Sequence, residues 1–218
     1  VTDLRELLRA VPSVTGTAPG WDPADAPDEP RELFVEWLVN AVDNGAREPL
    51  AATLSTVDAT GAPDARVLVI KNVTDDFRID IATGLESAKG RQLVADPRCA
   101  LTFYWSALAR GVRVRGVAHA GTAAESAADF LARHPDARAI AATELQSSPM
   151  LDPDAHERLI EAQRARIASD PNLVSPTWTL WHIEPSCVEF WQGMPSRDHL
   201  RLRYTHESSG WRRERLWA

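Results

Sequence analysis

The chain has 218 residues, 44% hydrophobic and 25% charged, a composition that suits one folded domain with its own core and excludes disordered or fibrous architectures. Its 24 basic and 31 acidic residues give a net charge of −7, which disfavours a general polyanion-binding surface, so nucleic acid is not expected as a partner. No apolar run approaches the roughly 18 residues of a membrane span, and Val1 to Ala10 alternates acid and base without a signal-peptide core. The expectation is a cytoplasmic protein that does not enter the membrane.

Cys99 and Cys187 fall in stretches that read as strands, and buried reduced thiols are expected there. The histidines are scattered without ligand spacing, so no metal site is expected. Among the 24 basic residues, 22 are arginine; the two lysines, Lys71 and Lys89, mark places where a compact ammonium is wanted instead of a flat guanidinium, or arise by chance.

In chain order, residues 1–30 carry Pro12, Pro19, Pro23, Pro27 and Pro30 with few apolar positions and read as an arm laid over something else; residues 31–218 then form a single domain. Phe34, Trp37, Leu38 and Ala41 form the stripe of a helix. From Leu50 the period becomes that of strands, two of them around a turn at Asp58 to Pro63, and a third at 77–83. A short helix is predicted at 86–95, then strands at 98–107 and 110–121. Thr122 with Glu125 is a capping-box pattern for a helix to Arg133; further helix is predicted at 136–145, and Asp152-Pro153 opens another to about Ser169. Four strands close the chain, at 178–185, 187–193, 199–204 and 211–217. Helices set between strands in this way predict an α+β fold with a mainly antiparallel sheet or barrel.

Three places carry chemistry. If 197–203 is a strand, period 2 puts Arg197, His199, Arg201 and Arg203 on one face, close to Glu189 and Trp191; this is either a solvated outer face or a pocket for a flat anion. Arg66 and Lys71 are five residues apart, so on a regular strand they point to opposite faces, unless a bulge intervenes. Ser87 and Lys89 open the short helix, where free N–H groups favour a phosphate; serine there also fits simple capping.

The segments RVLVIK (66–71), ESAKG (86–90), LTFYW (101–105), RGVRVRG (110–116), QSS (146–148), VEFWQG (188–193), SRDHLRLR (196–203) and the terminal WRRERLWA resemble, in order, the motifs of the pyridoxamine 5′-phosphate oxidase family. The resemblance implies a split β-barrel with peripheral helices, assembled as a homodimer with FMN at the subunit interface. Carried over residue by residue, it implies FMN contacts at Arg66, Lys71, Thr83, Lys89, Gln146, Ser147, Trp191 and Arg201. It implies substrate contacts at Lys71, Arg133, Arg197 and His199, with Arg197 and His199 nearest the chemistry. The implied reaction is hydride transfer from pyridoxine or pyridoxamine 5′-phosphate to flavin, with oxygen as acceptor, giving pyridoxal 5′-phosphate and hydrogen peroxide. The alternatives are oxidation of another flat anionic ring, as in the branch acting on phenazine precursors, or flavin binding without turnover.

The chain also departs from the family pattern. Ala88 replaces a phosphate-binding arginine and Gly111 a flavin-contacting glutamine. The tyrosine and serine that help hold the substrate phosphate correspond to Asp129, or Phe130 with a one-residue shift, and Ala137.

Overall fold

The computed structural model describes residues 3–218; Val1 and Thr2, the first residues of the expected arm, lie outside them. The helices are α1 (Leu4–Ala10), α2 (Pro30–Asp43), α3 (Ala88–Ala95), α4 (Ala123–Ala132), α5 (Pro135–Ala141) and α6 (Pro153–Ser169). The strands are β1 (Ala51–Val57), β2 (Pro63–Val69), β3 (Asn72–Val73), β4 (Ile79–Gly84), β5 (Arg98–Trp105), β6 (Arg110–Ala120), β7 (Trp178–Gln192), β8 (Leu200–Glu207) and β9 (Gly210–Arg215). They form a nine-stranded sheet in the order β2-β1-β5-β6-β7-β4-β3, with β8 pairing β7 and β9. The pairings of β3 with β4, β4 with β7, β7 with β8 and β8 with β9 are antiparallel. The fold is therefore the α+β, mainly antiparallel class expected from the sequence.

Residue contacts gather into two compact units. The first comprises Val1–Thr53, Leu101–Arg115 and Ser186–Ala218, the second Leu54–Ala100 and Gly116–Pro185. In the first, α1 buries none of its residues, whereas α2 buries Leu33, Phe34, Trp37 and Ala41 along its apolar stripe. Phe34 meets Phe103 edge-on at 5.2 Å, and Trp37 meets Phe190 at 5.2 Å and Trp21 at 4.9 Å. Such aromatic pairs contribute beyond the area they bury. Tyr204 donates its hydroxyl to the Pro27 carbonyl at 2.7 Å, tying the proline-rich segment to β8; burial pushes its phenol up to about 12.

In the second unit, local signals fix where each helix begins. The Thr122 hydroxyl accepts from the Glu125 N–H at 3.2 Å, and the Glu125 carboxylate accepts from the Thr122 N–H at 2.7 Å, completing the capping box of α4. Asp152 caps α6 ahead of Pro153, and Ser87 caps α3 by accepting from the Gly90 N–H at 3.1 Å. Gly90 is required there: a Cβ would stand 2.4 Å from the Gly84 carbonyl oxygen, so any side chain would push α3 off the end of β4.

Two expectations are corrected. The strands predicted at 178–185 and 187–193 are one strand, β7. It pairs with β4 over 178–183 and with β8 over 187–192, so Pro185, which has no N–H to donate, sits between the stretches paired with these two strands, while Gly116 of β6 packs against it. The helix predicted at 136–145 ends as α5 at Ala141, with Glu144 at a left-handed φ of 59° just beyond it.

Candidate functional site

The second unit contains a cavity of about 600 Å³ walled by six of the expected residues: Arg66, Lys71, Lys89, Arg133, Gln146 and Ser147. Arg66 and Lys71 share it because β2 ends at Val69. Past that point the Lys71 N–H bonds the Asp80 carbonyl at 2.7 Å and the strand's alternation no longer applies, which corrects the opposite-face expectation.

Arg66 is held on all sides. Its guanidinium donates to Thr56 Oγ1 at 2.5 Å and Gln92 Oε1 at 2.8 Å, and it pairs with Asp64, which also accepts from Gln92 at 2.9 Å. Gln92 was not singled out in the sequence; it is in a polar position on α3 whose partners come from β1 and β2.

Lys89 is the opposite case. It is only 9% exposed, and among the described residues no hydrogen bond or ion pair reaches its ammonium. Burial, and then the nearby Arg66 charge, hold its pKa below the usual lysine range. A buried cation left in that condition at the start of α3, beside Ala88, is built for an anion from outside.

Thr83 lies behind the wall. Its hydroxyl is 3.0 Å from Ser87 Oγ and donates to Gln146 Oε1 at 3.2 Å, so it orients Gln146. Arg133, at the C-terminal end of α4, stacks over the Trp178 ring at 4.2 Å, and its Nε is buried without a partner. Burial lowers its pKa, against the opposing pull of Asp129. Of the two positions considered on this helix, Phe130 is fully buried, whereas Asp129 accepts from Trp178 Nε1 at 2.8 Å and lies 3.9 Å from Lys71 Nζ. Trp178 was not read as a site residue from the sequence.

The remaining expected residues belong to the first unit. Trp191 and Arg201 line a cavity of about 350 Å³ with Tyr104, Gly111, Arg113 and Glu189. Arg201 donates to Glu189 at 3.0 and 2.6 Å and to the Trp217 carbonyl at 3.0 Å, while Arg113 donates to the other Glu189 oxygen at 2.6 Å. Gly111 leaves the Trp191 face open, since a Cβ there would stand 3.8 Å from that ring.

Arg197 and His199 are not on a strand, because β8 starts at Leu200. They lie in a turn in which Arg197 has φ of 68°, the Met194 N–H donates to His199 Nδ1 at 3.0 Å, and the His199 ring is 5.0 Å from that of Trp191. Arg197 donates to Ser13 Oγ at 2.8 Å. The expected cationic stripe thus reduces to Arg201 and Arg203, and Arg203 is paired outward with Glu214. Ser147, with φ of 72°, shares with Arg197 a left-handed conformation that side chains rarely adopt unless surrounding structure imposes it.

The family profile described as pyridoxamine 5′-phosphate oxidase matches residues 38–169, and that described as the pyridoxine 5′-phosphate oxidase C-terminal dimerisation region matches residues 178–218. A pyridoxine/pyridoxamine 5′-phosphate oxidase of Pseudomonas paraeruginosa is 42% identical over 202 residues, covering 92% of this chain and 94% of that protein. One of Azorhizobium caulinodans is 40% identical over 194 residues, 88% and 91% of the two chains. Among solved structures, PhzG from Burkholderia lata, in complex with tetrahydrophenazine-1-carboxylic acid, is similar with a TM-score of 0.86 at 25% identity, covering 93% of this chain and all of that one. A pyridoxamine 5′-phosphate oxidase-related protein from Nostoc punctiforme shares the fold with a TM-score of 0.71 at 17% identity, over 87% and 98% of the two chains. On this evidence the chain belongs to the pyridoxamine 5′-phosphate oxidase family, has its split-barrel fold and is an oxidoreductase of that kind.

Proposed function

We propose that the protein is an FMN-dependent oxidase of pyridoxine or pyridoxamine 5′-phosphate, acting as a homodimer with FMN at the subunit interface. The observation that carries the cofactor reading is Lys89: a buried lysine whose ammonium has no partner among the described residues, on the wall of a 600 Å³ cavity at a capped helix start. Its chemistry matches the FMN phosphate, with Arg66 as the second cation, and Gln146 and Ser147 on the same wall meet the remainder of the group. Trp191 and Arg201 offer an aromatic face and a cation in the first unit.

The chemistry supplied by bound FMN is acceptance of a hydride from the substrate, with oxygen as final acceptor and hydrogen peroxide and pyridoxal 5′-phosphate as products. The chain's own residues bind and orient. Lys71 and Arg133 hold the anionic group of the substrate, and Arg197 and His199 position its ring. His199 Nδ1 is occupied by the Met194 N–H, so Nε2 is the nitrogen left to face a ligand.

The test is anaerobic mixing of FMN-loaded protein with pyridoxine 5′-phosphate while following the flavin band at roughly 450 nm. Bleaching, restored by air with release of hydrogen peroxide, is the expected result; a band unchanged by both pyridoxine and pyridoxamine 5′-phosphate overturns the substrate assignment. A second reading, oxidation of a flat ring carrying a carboxylate, draws support from the acidic residue beside Lys71 and from the ligand of the Burkholderia lata protein.

A further inference from the structure

We propose that Asp129 is a specificity-determining residue that sets how much negative charge the Lys71–Arg133 end of the cavity rewards, narrowing the advantage of a doubly charged group such as a phosphate over a singly charged one such as a carboxylate. The inference rests on the reading of that end as the substrate's anion site. Three charges meet there, two positive on Lys71 and Arg133 and one negative on Asp129, leaving a net single positive charge.

The arrangement is fixed, because one aromatic residue holds both signs. Trp178 donates its Nε1 hydrogen to Asp129 at 2.8 Å and carries the Arg133 guanidinium over its ring at 4.2 Å. Asp129 has 14% side-chain exposure, so water and salt screen its charge far less than that of a surface carboxylate. It stands 3.9 Å from Lys71 Nζ, beyond hydrogen-bond reach, and so opposes the lysine charge without occupying its N–H groups. Arg133 keeps a buried Nε with no partner, and its Nη2 reaches only the Ala137 carbonyl, at 3.5 Å. The Lys71 ammonium therefore keeps its donors for a ligand, while the field that would favour a dianion is partly cancelled.

The repulsion between Asp129 and a bound anion grows in proportion to the ligand's charge. Removing that carboxylate should shift log Kd by an amount linear in ligand charge. The probes are 4-deoxypyridoxine, 4-deoxypyridoxine 5′-phosphate and phenazine-1-carboxylate, titrated into oxidised, FMN-loaded protein at pH 8, where the phosphate is a dianion because its second pKa is about 6. None of the three needs to turn over, so the measurement is independent of flavin reduction by pyridoxine 5′-phosphate, which tests the proposed function separately.

Asp129→Asn keeps an oxygen for Trp178 to donate to and removes the charge. It should tighten the phosphate about tenfold and the carboxylate about threefold, and leave the uncharged ring unaltered. Asp129→Ser serves as the second variant and should give the same order. Equal shifts for all three probes, no shift, or loss of binding of all three with FMN still bound overturns the proposal.

Discussion

Each unit of the molecule presents a cavity with arginine or lysine on its wall, yet the first engages its cations fully whereas the second, Arg66 apart, does not. In the first unit every one of them near Trp191 is spent: Arg113 and Arg201 both serve the buried carboxylate of Glu189, and Arg110 is stacked on Trp37 and bonded to Gln192 at 2.9 Å. In the second unit Lys89 has no partner among the described residues and Arg133 has an unused buried donor. The first cavity therefore has a shape and polarity completed by the fold itself. The second is electrostatically incomplete, and completion has to come from a ligand.

The most forceful way to break this comparison is to remove the cations that the fold uses. Replacing Arg113 and Arg201 together with Leu strands the Glu189 carboxylate, which is 9% exposed, and should cost about 3–5 kcal/mol. That corresponds to a melting temperature lower by roughly 6–20 °C for a chain of this length. Adding Glu189→Gln to the pair should recover most of the loss; a double variant that melts within about a degree of the parent would show that this cluster is not structural.

Arg197 comes next. Its turn is held by its own backbone bonds and its guanidinium meets only Ser13, so Arg197→Ala should retain FMN and melt nearly as the parent does. Steady-state kinetics should instead show kcat/KM lower by about 10²-fold, the scale of a lost positioning contact. Loss of yellow colour would reassign Arg197 to the cofactor.

The smallest effect has two signs in one variant. Lys89→Met should weaken FMN binding by about 1.5–3 kcal/mol, read by fluorescence titration, because a charge-assisted contact to phosphate is gone. The same variant should stabilise the apoprotein by about 1 kcal/mol, since an unpaired cation is no longer buried. The pH dependence checks the sign. Burial lowers the folded-state pKa of Lys89, so between that value and the usual 10.5 the unfolded chain binds more protons and apoprotein stability rises with pH. That slope should be absent in Lys89→Met. A less stable apo variant would mean that Lys89 is paired in solution.

How far the sequence foretold this arrangement depends on the range of each signal. Helix starts were legible because they are written in adjacent residues, as at Thr122 with Glu125 and at Ser87. Of the six cavity residues in the second unit, five were legible through their motifs, and Arg133, which lies in none, only through the family resemblance. What failed was period 2 applied past a strand's end: Lys71 lies two residues beyond β2, and Arg197 and His199 lie before β8 begins, so alternation carried no information at those positions. Pro185 gave a correct signal with the wrong consequence, since a residue that cannot donate need not end a strand when it falls between the stretches paired with β4 and β8. Asp129 and Trp178 were missed as a pair because their contact spans 49 residues and neither belongs to a motif. The capping box does fix the phase of α4, and from it Asp129 and Arg133, four apart, fall on one side of the helix.

The Thr83–Gln146 contact fixes the direction in which hydrogen bonds run across the cavity wall. Ser87 gives its hydrogen to the Gly84 carbonyl at 2.8 Å and Thr83 gives its own to Gln146 Oε1, which fills one of the two acceptor sites of the amide oxygen. Gln146 then faces the cavity with two amide hydrogens and one remaining lone pair. The wall at that point is biased toward a ligand that presents an acceptor, such as a carbonyl or a deprotonated nitrogen. A glutamate at 146 would have no hydrogen to offer at neutral pH, and so would invert the recognition while keeping the side chain's length.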